Sequence, residues 1–207
     1  MNHKSIEILL IVGSIMFPII VPGCGQKSYE KQQYILDAQR ASQASDAKNP
    51  DSIIEVRGFT IDPAFSTKKL TYRTGDFEYE TDFYNEFLIS PAAMITGKVR
   101  NWLSESGLFQ RVLDPASYID PYYVMEGNIV ALYGDFRDKS SPKAVMEIRI
   151  FLLKTKAGAE PLIVFGKTYK SNVALESAGP ESLIMAFDHC LTEILTTLEK
   201  DLKDKLS

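Results

Sequence analysis

The chain has 207 residues, 45% of them apolar and 24% charged, enough for one well-cored domain and cramped for two. A net charge of −4 argues against a broad basic surface for nucleic acid. Two histidines (His3, His189) and two cysteines (Cys24, Cys190) are too few and too scattered for a zinc cage or a disulfide framework, and they lean away from an enzyme.

Residues 1–23 read as an export signal. Lys4 supplies a positive charge that Glu7 partly cancels, and Ile8 to Val21 carries no charge at all. Pro18 interrupts that run, which falls short of the roughly 20 residues needed to span a bilayer and fits a signal h-region. A buried core helix is the competing reading, and neither capping residues nor amphipathic spacing supports it. Val21-Pro22-Gly23-Cys24 then resembles a bacterial lipobox, whose cysteine receives a diacylglycerol on sulfur and, after cleavage, an acyl chain such as palmitate on the new amine. Each buried methylene contributes about 0.8 kcal/mol, so three chains on Cys24 anchor the protein stably. Cleavage discards His3, Lys4 and Glu7, leaving the net charge unchanged, His189 as the one histidine and Cys190 as a lone thiol. Gly25 stands where lipoproteins retained in the inner membrane usually carry aspartate, so the outer membrane is expected, with the domain facing the periplasm.

Residues 24–51 are expected to be the lipidated cysteine and a flexible tether or frayed helix, with only Tyr34-Ile35-Leu36 able to pack. The domain is expected over 52–207. Ile53 to Phe59 is a short β-type run ended by Asp62-Pro63, and 69–83 reads as a hairpin turning at Thr74-Gly75-Asp76. Ser90-Pro91 opens a helix over 91–106, with Gly107 as its C-terminal stop. Strands follow over 122–133, 144–153 and 162–169. Gly179-Pro180 opens a second helix, with Leu183, Phe187, Cys190, Leu191, Ile194, Leu198 and Leu202 on one stripe. The expected class is α+β, a mostly antiparallel sheet packed against two amphipathic helices in a single domain.

Chemistry is sparse. Gly166-Lys167-Thr168 matches the tail of a phosphate loop, but Pro161 stands where its first glycine belongs and the segment reads as strand. His189 and Cys190 are helix neighbours about 100° apart, a poor geometry for a catalytic pair. Asp76, Glu78, Glu80 and Asp82 alternate with apolar or small residues, either a solvated strand face or an acidic ridge for a basic partner or divalent ion. Phe83, Tyr84, Phe87 and Leu88 are either a hydrophobic staple or an aromatic contact patch. No metal site is expected, and no cofactor beyond the covalent acyl and diacylglycerol groups on Cys24.

The ordered features resemble the ABC-type transport auxiliary lipoproteins, the PqiC-like components of MCE-type lipid transport systems. Tyr34-Ile35-Leu36-Asp37 resembles the family's Y-x-L segment and Leu70-Thr71-Tyr72-Arg73 its L-x-Y-R strand. Ser106-Gly107-Leu108-Phe109 with Val112 resembles its S-G-x-F-x-x-V, and Glu126-Gly127 the following strand. Where the family has R-W-x-x-x-P this chain has Asn85-Glu86-Phe87-Leu88 running to Pro91, so the arginine and tryptophan are absent, a departure suited to a divergent subgroup. The resemblance implies a non-catalytic outer-membrane lipoprotein that docks an MCE-domain periplasmic subunit, served by a separate ABC permease and ATPase, as one copy or as a homo-oligomer. Tyr72, Arg73, Phe83, Tyr84 and Phe87 are the expected contact residues. A lipoprotein cofactor of a cell-wall synthase is the alternative from the binding class, and a periplasmic hydrolase using His189 is the enzyme alternative.

Overall fold

Strict alternation shapes the longest strands. Ala144, Met146, Ile148, Ile150 and Leu152 have no solvent exposure, while Glu147 and Arg149 between them face away. The computed structural model describes residues 30–41, 52–155 and 158–206; the expected signal peptide and Cys24 lie outside these. The elements are β1 (Gln32–Tyr34), β2 (Ile53–Val56), β3 (Thr60–Ile61), β4 (Lys69–Arg73), β5 (Tyr79–Phe87), α1 (Pro91–Ser106), β6 (Arg111–Leu113), β7 (Tyr123–Asp135), β8 (Lys143–Lys154), β9 (Leu162–Ala174) and α2 (Pro180–Leu206).

They form one mixed sheet with two helices, an α+β domain. The long pairings, β7–β8, β8–β9 and β4–β5, are antiparallel. The short strands attach in parallel: β2, β3 and β4 share one edge of β7, and β1 lies against β5. Both helices cover one face. The α2 stripe of Leu183, Phe187, Cys190, Leu191, Ile194, Leu198 and Leu202 is buried against the inner residues of β8 and β9. Helix α1 starts at Pro91 and stops at Gly107, which adopts φ 72° as a left-handed C-terminal stop. Ser90 stands at the cap position without a side-chain hydrogen bond to the helix, so the fixed φ of Pro91 is what sets this end.

The tether expected over 24–51 does not hold for residues 30–41. Strand β1 joins the sheet edge, with Gln32, Gln33 and Tyr34 opposite Asn85, Glu86 and Phe87. Beyond it, Leu36 is 1% exposed and Ala38 8%, and Arg40 donates two hydrogen bonds to Glu199 at 2.8 and 2.7 Å. The indole N–H of Trp102 donates to the same carboxylate at 2.8 Å, so the strap ties α1 to α2. Tyr34, Leu36, Ala38 and Arg40 therefore share an inward face at period two, while Ile35, Asp37 and Gln39 face solvent.

Candidate interaction surface

The hairpin of β4 and β5 holds most of the residues expected at a contact, and the structure separates them. Asp82 sits where β5 departs from regular pairing with β4, between the registers Thr71–Thr81 and Lys69–Glu86. Its Oδ1 accepts the backbone N–H groups of Tyr84 and Asn85 at 2.8 and 2.9 Å. Its Oδ2 accepts the Tyr72 hydroxyl at 2.8 Å and the Asn85 amide at 2.9 Å, and Tyr34 donates to Asn85 Oδ1 at 3.2 Å. This local turn breaks the alternation of β5, which is why Phe83 and Tyr84 both emerge into solvent, 65% and 43% exposed.

Tyr72 is half-buried, edge-on to Phe136 and committed to Asp82, and burial together with that carboxylate pushes its phenol pKa well above the ordinary value. Phe87 is 2% exposed and packs against Phe187, so its ring belongs to the core and not to a contact patch. The reason is its register: it lies opposite Tyr34 on the helix-covered face. Arg73 bends back onto the carbonyls of Gly75 and Asp76 at 3.2 and 2.8 Å and lies over the Tyr79 ring. Of the five expected residues, only Phe83 and Tyr84 present an open aromatic surface.

The acidic alternation does not form one ridge. Asp82 is turned into the polar network, and Asp76 pairs with Arg137 at 3.2 Å. Among the described residues, no group of three or more acidic, histidine or cysteine side chains is placed to hold a metal ion. His189 and Cys190 diverge as helical geometry requires. His189 is exposed, whereas the Cys190 thiol is fully buried, 3.8 Å from the Ala144 carbonyl oxygen, and burial raises its pKa.

Burial opposes ionisation of Asp82, but its four hydrogen bonds overcome that and hold its pKa below the ordinary range. Its contribution is therefore present above about pH 4, the ordinary aspartate value, and is lost as the pH falls through the lowered folded-state value. Asp82→Asn is expected to cost about 1–2 kcal/mol at pH 7, since the two bonds from backbone N–H groups become neutral ones and the new amide NH2 cannot accept from the Asn85 amide. Urea titrations should show that difference shrinking at pH 3; an unchanged gap would remove the carboxylate from the explanation.

A second exposed apolar group lies at the opposite end of the sheet, and sequence reasoning missed it. Tyr118 and Ile119, in the loop before β7, Tyr122 beside its start, and Leu162 and Ile163 at the start of β9 are all exposed. The register Tyr123–Lys154–Leu162 places Tyr122, Leu162 and Ile163 at the same end, and Tyr118 and Ile119 lie in the loop that leads to it. Lys154 lies 4.9 Å over the Tyr122 ring. The available signal was the unbroken Leu162-Ile163-Val164-Phe165 run, more apolar than a strand with one solvated face requires. Cavities of about 320, 310 and 260 Å³ lie around the helices, lined largely by charged and polar side chains such as Arg40, Lys200, Glu105 and Glu193.

No protein-family model matches the chain, and no curated protein matches it by sequence. The fold is similar to a Xanthomonas campestris protein of the DUF330 family, with 16% identity and a TM-score of 0.66, covering 81% of this chain and 92% of that one. It is also similar to a crystal structure of an uncharacterised protein, with 8% identity and a TM-score of 0.63, covering 84% of this chain and 99% of that one. No helix among the described residues is long and apolar enough to cross a membrane. At these identities the likeness concerns the fold, which this chain shares over nearly the whole of both structures.

Proposed function

We propose that the protein is a non-catalytic lipoprotein, anchored through Cys24 to the outer membrane and facing the periplasm. In this reading it is the accessory subunit of an ABC/MCE-type system that moves phospholipid or a related lipid. Its task is docking an MCE-domain periplasmic subunit, with transport energy supplied by a separate permease and ATPase. The observation that carries the reading is the exposed apolar corner of Tyr122, Leu162 and Ile163 at one end of the sheet, with Tyr118 and Ile119 exposed in the loop leading to it. Exposed apolar groups of this kind mark interaction sites.

The test is capture of the MCE-domain subunit on the tagged, acylated chain from detergent-solubilised envelopes. Tyr122→Asp with Leu162→Asp should lower that capture at least tenfold, a loss of about 1.4 kcal/mol or more. Both positions are exposed, so the fold should be unaffected. Recovery of a peptidoglycan synthase in place of the MCE-domain subunit would instead establish the cell-wall reading.

A further inference from the structure

The position of β1 constrains how the domain meets its membrane. Seven residues, 25–31, separate Cys24 from Gln32. Whatever their conformation, they cannot reach farther than about 28 Å. A domain that begins at residue 52 could stand well clear of the headgroups; a domain whose sheet begins at Gln32 cannot.

The registers locate this starting point within the sheet. Gln32 pairs with Asn85 in parallel, so the chain preceding it heads toward the Phe83–Tyr84 side of β5. Those two side chains lie about one strand spacing, ~4.8 Å, across and one or two rises of ~3.3 Å along. The Leu162 corner lies across β5, β4, β7 and β8, about 24 Å away laterally, and at the other end of β7. A linker of at most about 28 Å keeps the first group nearer the anchor than the second, which stands a further ~24 Å across the sheet.

The chemistry near the starting point suits a headgroup layer. Phe83 and Tyr84 stack edge-to-face at 5.1 Å, and Lys69 sits 5.6 Å over the Phe83 ring. The Lys31 side chain, paired with Glu86 at 3.3 Å, is 50% exposed one position before Gln32. Farther along, Tyr79 is 47% exposed and Phe77, at the hairpin turn, 97% exposed. Tyrosine rings, with one polar end, favour the membrane–water interface, phenylalanine rings enter the acyl boundary beneath it, and lysines favour its phosphates. The short linker also raises the effective concentration of bilayer at this patch to the millimolar range, so a weak surface engages once the anchor is inserted.

We propose that Phe83 and Tyr84, flanked by Lys31 and Lys69, form a lipid-contacting seat that holds the β4–β5 hairpin against the bilayer and turns the Leu162 corner away from it. This rests on the anchored reading above. It assigns to lipid two residues that the sequence points to as protein contacts.

The test uses the mature, acylated chain reconstituted in phosphatidylethanolamine–phosphatidylglycerol vesicles containing a headgroup-nitroxide lipid. A fluorophore is attached at Thr81→Cys, two residues from Phe83, or at Tyr118→Cys at the far end; the buried Cys190 does not label. Quenching at position 81 should exceed that at 118 at least threefold and should fall by half or more when Phe83 and Tyr84 are both changed to Ser. Equal quenching at 81 and 118, or quenching at 81 that the double serine variant leaves unchanged, overturns the seat. Flotation and the mass of Cys24 report separately on the anchor. A chain that neither floats nor carries acyl groups overturns the anchored reading and the seat with it, whereas a floating chain unquenched at 81 overturns the seat alone.

Discussion

Leu36→Ala should lower the unfolding free energy by about 3 kcal/mol, whereas Ile35→Ala should change it by less than about 0.5 kcal/mol. The two residues are neighbours in a segment whose composition reads as linker. What separates them is the side of the strap on which each lies: Leu36 is 1% exposed and Ile35 55%. Truncating Leu36 leaves a void beneath backbone that cannot collapse into it. The strap is pinned by β1, by the Asp37 N–H donating to Asp188 at 2.7 Å, by Lys98 reaching the Asp37 carboxylate at 2.7 Å, and by Arg40 on Glu199. Urea denaturation of both variants checks the contrast. Equal, small effects would mean that the strap is not part of the cooperative fold.

The strap also shows where the sequence was readable and where it was not. Alpha helix 91–106 was legible to the residue because proline and glycine mark its ends by backbone geometry alone. The hairpin and the long strands were legible from alternation, although β9 runs on to Ala174, past the expected end at 169. The strap was obscured because its inward positions are Tyr34, Leu36, Ala38 and Arg40. Half of that face is a small residue or a charge, so an apolar count does not register it. Arg40 is buried only because Glu199, more than 150 positions away, meets it across the fold, and no local pattern carries that information. The contact residues failed in the same way. Phe87 and Phe83 look alike in sequence, but the Asp82 turn shifts the alternation between them and sends one into the core and the other into solvent.

Gly127→Ala should cost about 3 kcal/mol, more than an added methyl group usually costs in a strand, because no space exists for it. A Cβ at Gly127 would stand 2.5 Å from the Phe59 ring, which lies directly on the glycine backbone. The ring cannot slide aside cheaply, since the backbone around it is held at three points. The Phe59 N–H donates to Thr96 Oγ1 at 2.9 Å, Arg57 N–H to the Met125 carbonyl at 3.0 Å, and Asp62 N–H to the Ile129 carbonyl at 2.9 Å. The ring in turn covers backbone that glycine leaves bare, so each residue suits the other. Phe59→Ala alone should cost about 3–4 kcal/mol as a cavity. In the double variant the new methyl group occupies part of that cavity, so the combined cost should fall short of the sum by at least about 1 kcal/mol. Denaturant titration of the four proteins measures this coupling. Strict additivity would show that the glycine is tolerated for some reason other than the ring above it.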